Sequence, residues 1–240
     1  MKTFITLLKT ELKLSVRGMD MIIFAIFLPV VVMVILGIVT QSNSLNLAVS
    51  FSAVSTIAIC AGGVMGLPLV ISGYRQNKIL KRFKVTPVSP SLLLFVQVMI
   101  YTLYSVVSLI LVYLTASAFF GFRLPGSWVK FIGAFVLVMI SMFSIGILVG
   151  GVSPNTKIAS IIASILYFPM LIFSGATLPY EIMPIPLQRI ADVMPLTQGI
   201  KILKAVAQGN TIENIALSLI IIGTIAIVCT VMSIKFFKWE

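Results

Sequence analysis

Five cations crowd ten residues of this chain: Arg75, Lys78, Lys81, Arg82 and Lys84. Ile79, Leu80 and Phe83 are interleaved with them. At 100° per residue, a helix from Arg75 to Lys84 gathers those three apolar side chains on one face and the cations on the other. An apolar knob ringed by cations can dock in an acidic groove of a partner and transmit a push. The same residues could instead anchor the chain at a phosphate surface, where each basic residue gains about 1 kcal/mol. Neither role makes or breaks bonds, and the sequence offers little else that could. There is no G-x-x-x-x-G-K-[ST] to cradle a nucleotide, no HExxH and no GxSxG. Histidine is absent altogether. Ser160, Ser164 and Ser174 have no base to activate them and read as helix-packing residues. Cys60 and Cys229 fall inside apolar stretches and read as buried thiols, not as a disulfide or a metal site.

The elements that must position the basic cluster are membrane helices. The chain has 240 residues, 60% hydrophobic and 10% charged, with a mean hydropathy of +1.17. A water-soluble domain needs far more polar surface. From Met21 to Tyr74 there is not one charged side chain. That stretch is long enough for two spans at ~20 residues each. The whole length allows about six spans and no second domain of ~100 residues. The net charge of +11 would suggest nucleic acid on a soluble chain; here the cations sit at span ends and mark topology.

Met1 to Arg17 predicts an amphipathic helix. Lys2, Lys9, Lys13 and Arg17 fall within an arc of about 80°, and Phe4, Ile5, Leu7, Leu8, Leu12, Leu14 and Val16 cover the other side. Glu11 lies inside the apolar arc and is the exception. Such a helix lies along a membrane surface. Spans are predicted over about Met21–Thr40 (with Pro29 near its middle), Leu47–Ser72, Ser91–Phe120, Phe131–Gly151, Ile158–Gly175 (with a kink at Pro169) and Ile215–Phe236. Gly62, Gly63 and Gly66 in the second span and Gly146 and Gly150 in the fourth allow close helix packing. With the N-terminus inside, twelve of the 17 Lys and Arg residues fall in cytoplasmic segments and five outside, which is the positive-inside pattern. The spans carry almost no ionisable residues and the halves show no inverted repeat, so ion coupling at the midplane is disfavoured. Energy must then enter from a partner, or the protein is passive.

The segment 176–213 is too apolar for a solvated loop and too interrupted for a span. Pro184, Pro186 and Pro195 punctuate two short helices, about Leu187–Met194 and Leu196–Val206, neither able to cross ~30 Å of hydrocarbon. A re-entrant pair suits them; a lid lying on the outer surface is the other reading. Glu181 is either a functional buried acid or an interfacial residue facing water or Arg189. Together these readings predict an all-α polytopic membrane protein of six transmembrane helices, forming a single domain over 1–240. An N-terminal amphipathic interfacial helix precedes the spans, a re-entrant helical pair lies between spans 5 and 6, and both termini are cytoplasmic.

A basic amphipathic helix before span 1 coincides with a basic loop Gly73-Tyr-Arg75-Gln-Asn-Lys78-Ile-Leu-Lys81-Arg82-Phe-Lys84-Val-Thr86-Pro87-Val-Ser-Pro90 between spans 2 and 3. An outer segment Phe173-Ser-Gly175-Ala-Thr-Leu-Pro179 … Pro184 … Pro195-Leu-Thr-Gln-Gly199 follows span 5. In that order and spacing the chain resembles the permease subunit of an ABC-2 type transporter, a bacterial relative of the type V exporters. The resemblance implies a homodimer in the bacterial cell membrane, binding two copies of a separate ATPase subunit that holds the ATP and Mg; it implies no nucleic acid and no cofactor in this chain. Residues 1–20, with Lys9 and Lys13, would be the connecting helix. Residues 73–90, with Arg75, Lys78, Ile79, Leu80, Lys81, Arg82 and Phe83, would couple to the ATPase. Residues 176–213, with Pro179, Glu181, Pro184 and Pro195, would form the extracellular gate. The implied function is ATP-driven export of a hydrophobic or amphipathic substrate: a drug, an antibiotic or a lipid-like molecule. The rival expectation is a passive channel or scaffold with no ATPase partner.

Overall fold

Proline shapes the first two apolar helices. Its ring clashes with the carbonyl four residues back and it donates no N–H, so the preceding turn must widen or bend. In the computed structural model, which describes residues 2–18, 23–40, 44–79, 90–175, 183–209 and 215–237, the turns before Pro29 and Pro68 are both π-helical. The segment Ile23–Phe27 runs into Leu28–Val39, and Ala61–Gly66 runs into Leu67–Gln76. A π-turn inside an α-helix relieves such a clash without breaking the rod.

Nine helices make up the described residues. They are α1 (Lys2–Arg17), α2 (Ile23–Val39), α3 (Leu45–Gln76), α4 (Pro90–Phe120), α5 (Trp128–Val152), α6 (Thr156–Ile172), α7 (Ile185–Val193), α8 (Pro195–Ala207) and α9 (Ala216–Phe236). Four of them, α3, α4, α5 and α9, are long and apolar enough to cross a membrane. The apolar helices α2 and α6 have 17 residues each, at the lower limit for ~30 Å of hydrocarbon. α3 is the longest span, with 32 residues, or about 48 Å at 1.5 Å per residue. It therefore outlasts the hydrocarbon and carries its last turn beyond it.

α3 is also the core of the bundle. Leu47, Phe51, Val54, Ile59, Val64, Leu67 and Ile71 are buried along its length. Its contact with α5 is a glycine seam, as the sequence predicts. A Cβ on Gly146 would collide with the carbonyl of Gly63, and one on Gly150 would stand 2.9 Å from the Ile71 Cβ and 3.0 Å from the Pro68 Cα. At the other end an aromatic cluster closes the bundle. Phe51 stacks on Phe131 with centroids 5.2 Å apart, and Tyr113 meets Trp128 edge-on at 4.7 Å. α9 packs mainly on α5 and α8 and leaves Leu217, Ile220, Ile227, Val231 and Ile234 exposed, as suits a helix bathed in lipid. The helix expected over Arg75–Lys84 is not continuous: α3 ends at Gln76, and Lys78 takes a left-handed φ of 56°.

The seam sets an expected stability order. Gly146→Val should destabilise the detergent-solubilised chain by about 1–3 kcal/mol through overpacking. Gly133→Val on the same helix, where a Cβ meets nothing within 4 Å, should stay near neutral. Thermal unfolding of the two variants checks this, and equal melting temperatures would contradict the seam.

Candidate functional site

Three consecutive residues end α3, and each grips a different part of the molecule. Tyr74 turns toward α1. Its hydroxyl donates to Glu11 Oε2 at 2.5 Å, and the Gln97 amide of α4 donates to the same oxygen at 2.9 Å and to the tyrosine oxygen. α1 is held there by apolar packing as well. Phe4, Leu7, Leu8 and Leu12 lie against Ala25, Val96, Ile100 and Tyr104, and Tyr104 donates from its hydroxyl to Ser15 Oγ at 2.8 Å. Glu11, the exception on the apolar arc, is thus the polar pin of this joint.

Arg75 turns the other way, into the bundle. It is 8% exposed. Its guanidinium donates to the carbonyls of Gly150 (3.2 Å), Gly151 (2.7 Å) and Ser153 at the C-terminal end of α5. The last carbonyls of a helix have no intrahelical donor and carry the negative end of its dipole. A planar guanidinium with five donors suits three of them better than a lysine could. The same group lies 5.6 Å from the ring centroid of Phe237, just past α9. Gly151 admits that ring, since a Cβ there would come within 2.7 Å of it.

Gln76 reaches α6. Its Oε1 accepts from Thr156 N at 3.0 Å and from Thr156 Oγ1 at 2.8 Å, while Asn155 accepts from Ile158 N at 2.9 Å. The first turn of α6 is therefore capped partly by its own chain and partly by α3. Tyr74, Arg75 and Gln76 together tie the end of α3 to α1, α4, α5, α6 and the segment after α9.

The expected coupling residues divide accordingly. Lys9 and Lys13 are exposed on α1, and Lys78 is exposed just past α3. Ile79 is half-buried. Arg75 is not on their face: it caps α5 from within. Leu80, Lys81, Arg82 and Phe83 lie outside the described residues, as do Pro179 and Glu181 of the expected gate. Tyr74, Gln76 and Gln97 are the site residues that composition and periodicity pass over. The available signals were the lone Glu11 on an apolar arc and the lone Gln97 in an apolar span.

At the opposite end, α7 and α8 form the predicted helical pair. Pro184 precedes the first helix and Pro195 opens the second. α8 does not lie on top of the bundle. It is buried from Leu196 to Ile200, and a Cβ on Gly199 would stand 2.9 Å from Val138 and 3.0 Å from Thr56. Val138 is ten residues into α5, about 15 Å from its start. Thr197 donates to the Phe173 carbonyl at 3.1 Å, and Lys201 pairs with Asp192 at 2.5 Å across the α7–α8 elbow.

The described residues thus form a helical bundle in which four helices are long and apolar enough to cross a membrane, an amphipathic helix is pinned to one end and a short helix pair packs at the other. The ABC-2 type transporter family profile matches residues 2–207, which takes in every element just described except α9; the chain belongs to the ABC-2 type transporter family, as a permease. Membership implies a membrane setting and an ABC ATPase partner. No curated protein matches the chain.

Turning Arg75 inward has a measurable consequence. Arg75→Met should cost about 2–3 kcal/mol of stability, since it strips a charged donor from three buried carbonyls. Lys78→Met, at an exposed site, should change stability by no more than about 0.5 kcal/mol. Denaturant unfolding in detergent distinguishes the two; similar losses would place Arg75 outside the bundle.

Proposed function

We propose that the chain is the transmembrane permease of an ATP-binding cassette exporter, built on the type V plan. It has six spans, α2 to α6 and α9, with both termini cytoplasmic. Two copies form a homodimer with two ATPase subunits in a bacterial cell membrane and move a hydrophobic or amphipathic cargo outward. One observation carries this reading. The residues immediately before the basic loop, Tyr74, Arg75 and Gln76, are hydrogen-bonded to α1, α4, α5 and α6, so force applied to the loop reaches most of the bundle at once.

The ATPase binds ATP and Mg and closes on nucleotide. The closure presses on Lys78, Ile79, Leu80, Lys81, Arg82 and Phe83, and on the exposed Lys9 and Lys13 of α1. Their cations meet an acidic partner surface, and the apolar side chains fill a groove in it. α3 is a stiff rod of 32 residues; its π-turn at Ala61–Gly66 is the place where it can flex. Motion of its end draws α1 and the N-terminus of α6 with it, and Arg75 brings α5. At the far end α8, wedged between α3, α5 and α9, is the plug that such a motion would shift, and Pro179, Glu181, Pro184 and Pro195 are the proposed gate residues. A cargo path without midplane charge suits an apolar or amphipathic molecule.

Replacing Ile79, Leu80 and Phe83 together by Asp should abolish cargo-stimulated ATP hydrolysis while leaving membrane insertion intact. Unchanged hydrolysis and export would sink the docking role. Tyr74→Phe should act differently, because the ATPase still docks: hydrolysis continues and export per ATP falls several-fold. Paired hydrolysis and export assays in proteoliposomes read both.

A further inference from the structure

At the end of the bundle away from Tyr74, a groove of about 380 Å³ runs between α5, α8 and α9. That volume lies within the range of ligand sites. Its walls are Ala134 and Leu137 of α5, Ile202 and Val206 of α8, and Leu219 of α9, all apolar. Gly133 also lines it, and a Cβ there would meet nothing within 4 Å. The 121–127 connection folds back on the C-terminus of α8, with Gly126 N donating to the Ala207 carbonyl at 2.9 Å, and Pro125, Gly126 and Ser127 line the groove's end.

Length and charge say what fits. From Ser127 to Leu137 the groove spans ten residues of helix, about 15 Å, which is half of the ~30 Å hydrocarbon and so the depth of one leaflet. Its mouth is polar. Lys130 is exposed there, and among the described residues it has no acidic partner; the described ion pair is Lys201 with Asp192. Ser127, the residue before α5, makes no side-chain cap, so the first N–H groups of α5 add their positive end to the lysine. Trp128 beside it is placed as an interfacial aromatic. An apolar channel one leaflet deep with a cationic mouth matches a single acyl chain below a phosphate. We propose that this groove binds one anionic phospholipid of the surrounding bilayer, its chain along Gly133 and Leu137 and its phosphate against Lys130. The site rests only on membrane residence, and it stands or falls independently of the cargo and of the ATPase.

Native mass spectrometry of the full chain, with phosphatidylglycerol or phosphatidylcholine of the same acyl length, tests this. The chain should retain one phosphatidylglycerol with about fivefold preference, the worth of one interfacial cation. Lys130→Gln should bring the two lipids to equal retention, whereas Lys235→Gln, at the other end of α9, should leave the preference unchanged. Gly133→Leu starts its side chain where a Cβ meets nothing within 4 Å, puts a bulky group at the groove, and should remove the retained lipid at unchanged melting temperature. Equal retention by the unaltered chain, or an undiminished preference in Lys130→Gln, overturns the proposal. So does a Gly133→Leu chain that keeps its lipid but loses self-association, because a second copy would then be the occupant.

Discussion

A guanidinium buried against the end of a helix is the interaction on which the rest of this structure depends. Arg75 sits on the last turn of α3 and is spent on the C-terminal carbonyls of α5. In a bilayer protein, helix ends that are packed inward cannot rely on water, and a charged donor satisfies three orphan acceptors where a neutral side chain would satisfy one or two. The glycine seam between α3 and α5 makes this possible. Gly146 and Gly150 let the two backbones approach, and Arg75 fastens the ends that the seam brings together. Without the seam the guanidinium could not reach; without the guanidinium the seam would end in unpaired carbonyls.

The neighbours of Arg75 complete the joint by the same logic. Tyr74 and Gln76 point to other sides of the helix because successive residues are turned by 100°. One therefore meets the surface helix and the other meets α6. A rod that ends in three divergent anchors cannot shift alone. In the proposed mechanism the basic segment after it would supply the docking, and the leverage would come from the residues that precede it.

Most of the architecture was legible in the sequence. The long charge-free stretch, the glycine spacing and the prolines gave the helices to within a few residues, because hydropathy and proline chemistry act locally. The inserted helix pair was legible as too apolar for a loop and too short for a span. The interior role of Arg75 was not. Periodicity grouped it with Lys78 and Lys81, since a helical wheel records angle and not what waits on the other side; only the end of α5, reached through the fold, distinguishes it. The turn at Lys78 was equally hidden, because a left-handed lysine has no sequence signature. Glu11 was visible as an anomaly, but its partners Tyr74 and Gln97 lie 63 and 86 residues away.

If the end of α3 moves α1 and α6 as one body, spin labels on the exposed Lys13 and Lys157 of one protomer report it directly. Pulsed electron–electron distance measurement on the assembled transporter should give one distribution that is the same without nucleotide and with trapped ATP, while distances between protomers change. A shift of more than a few ångströms between Lys13 and Lys157 on trapping would show that the joint at Tyr74, Arg75 and Gln76 does not hold, and would contradict the account.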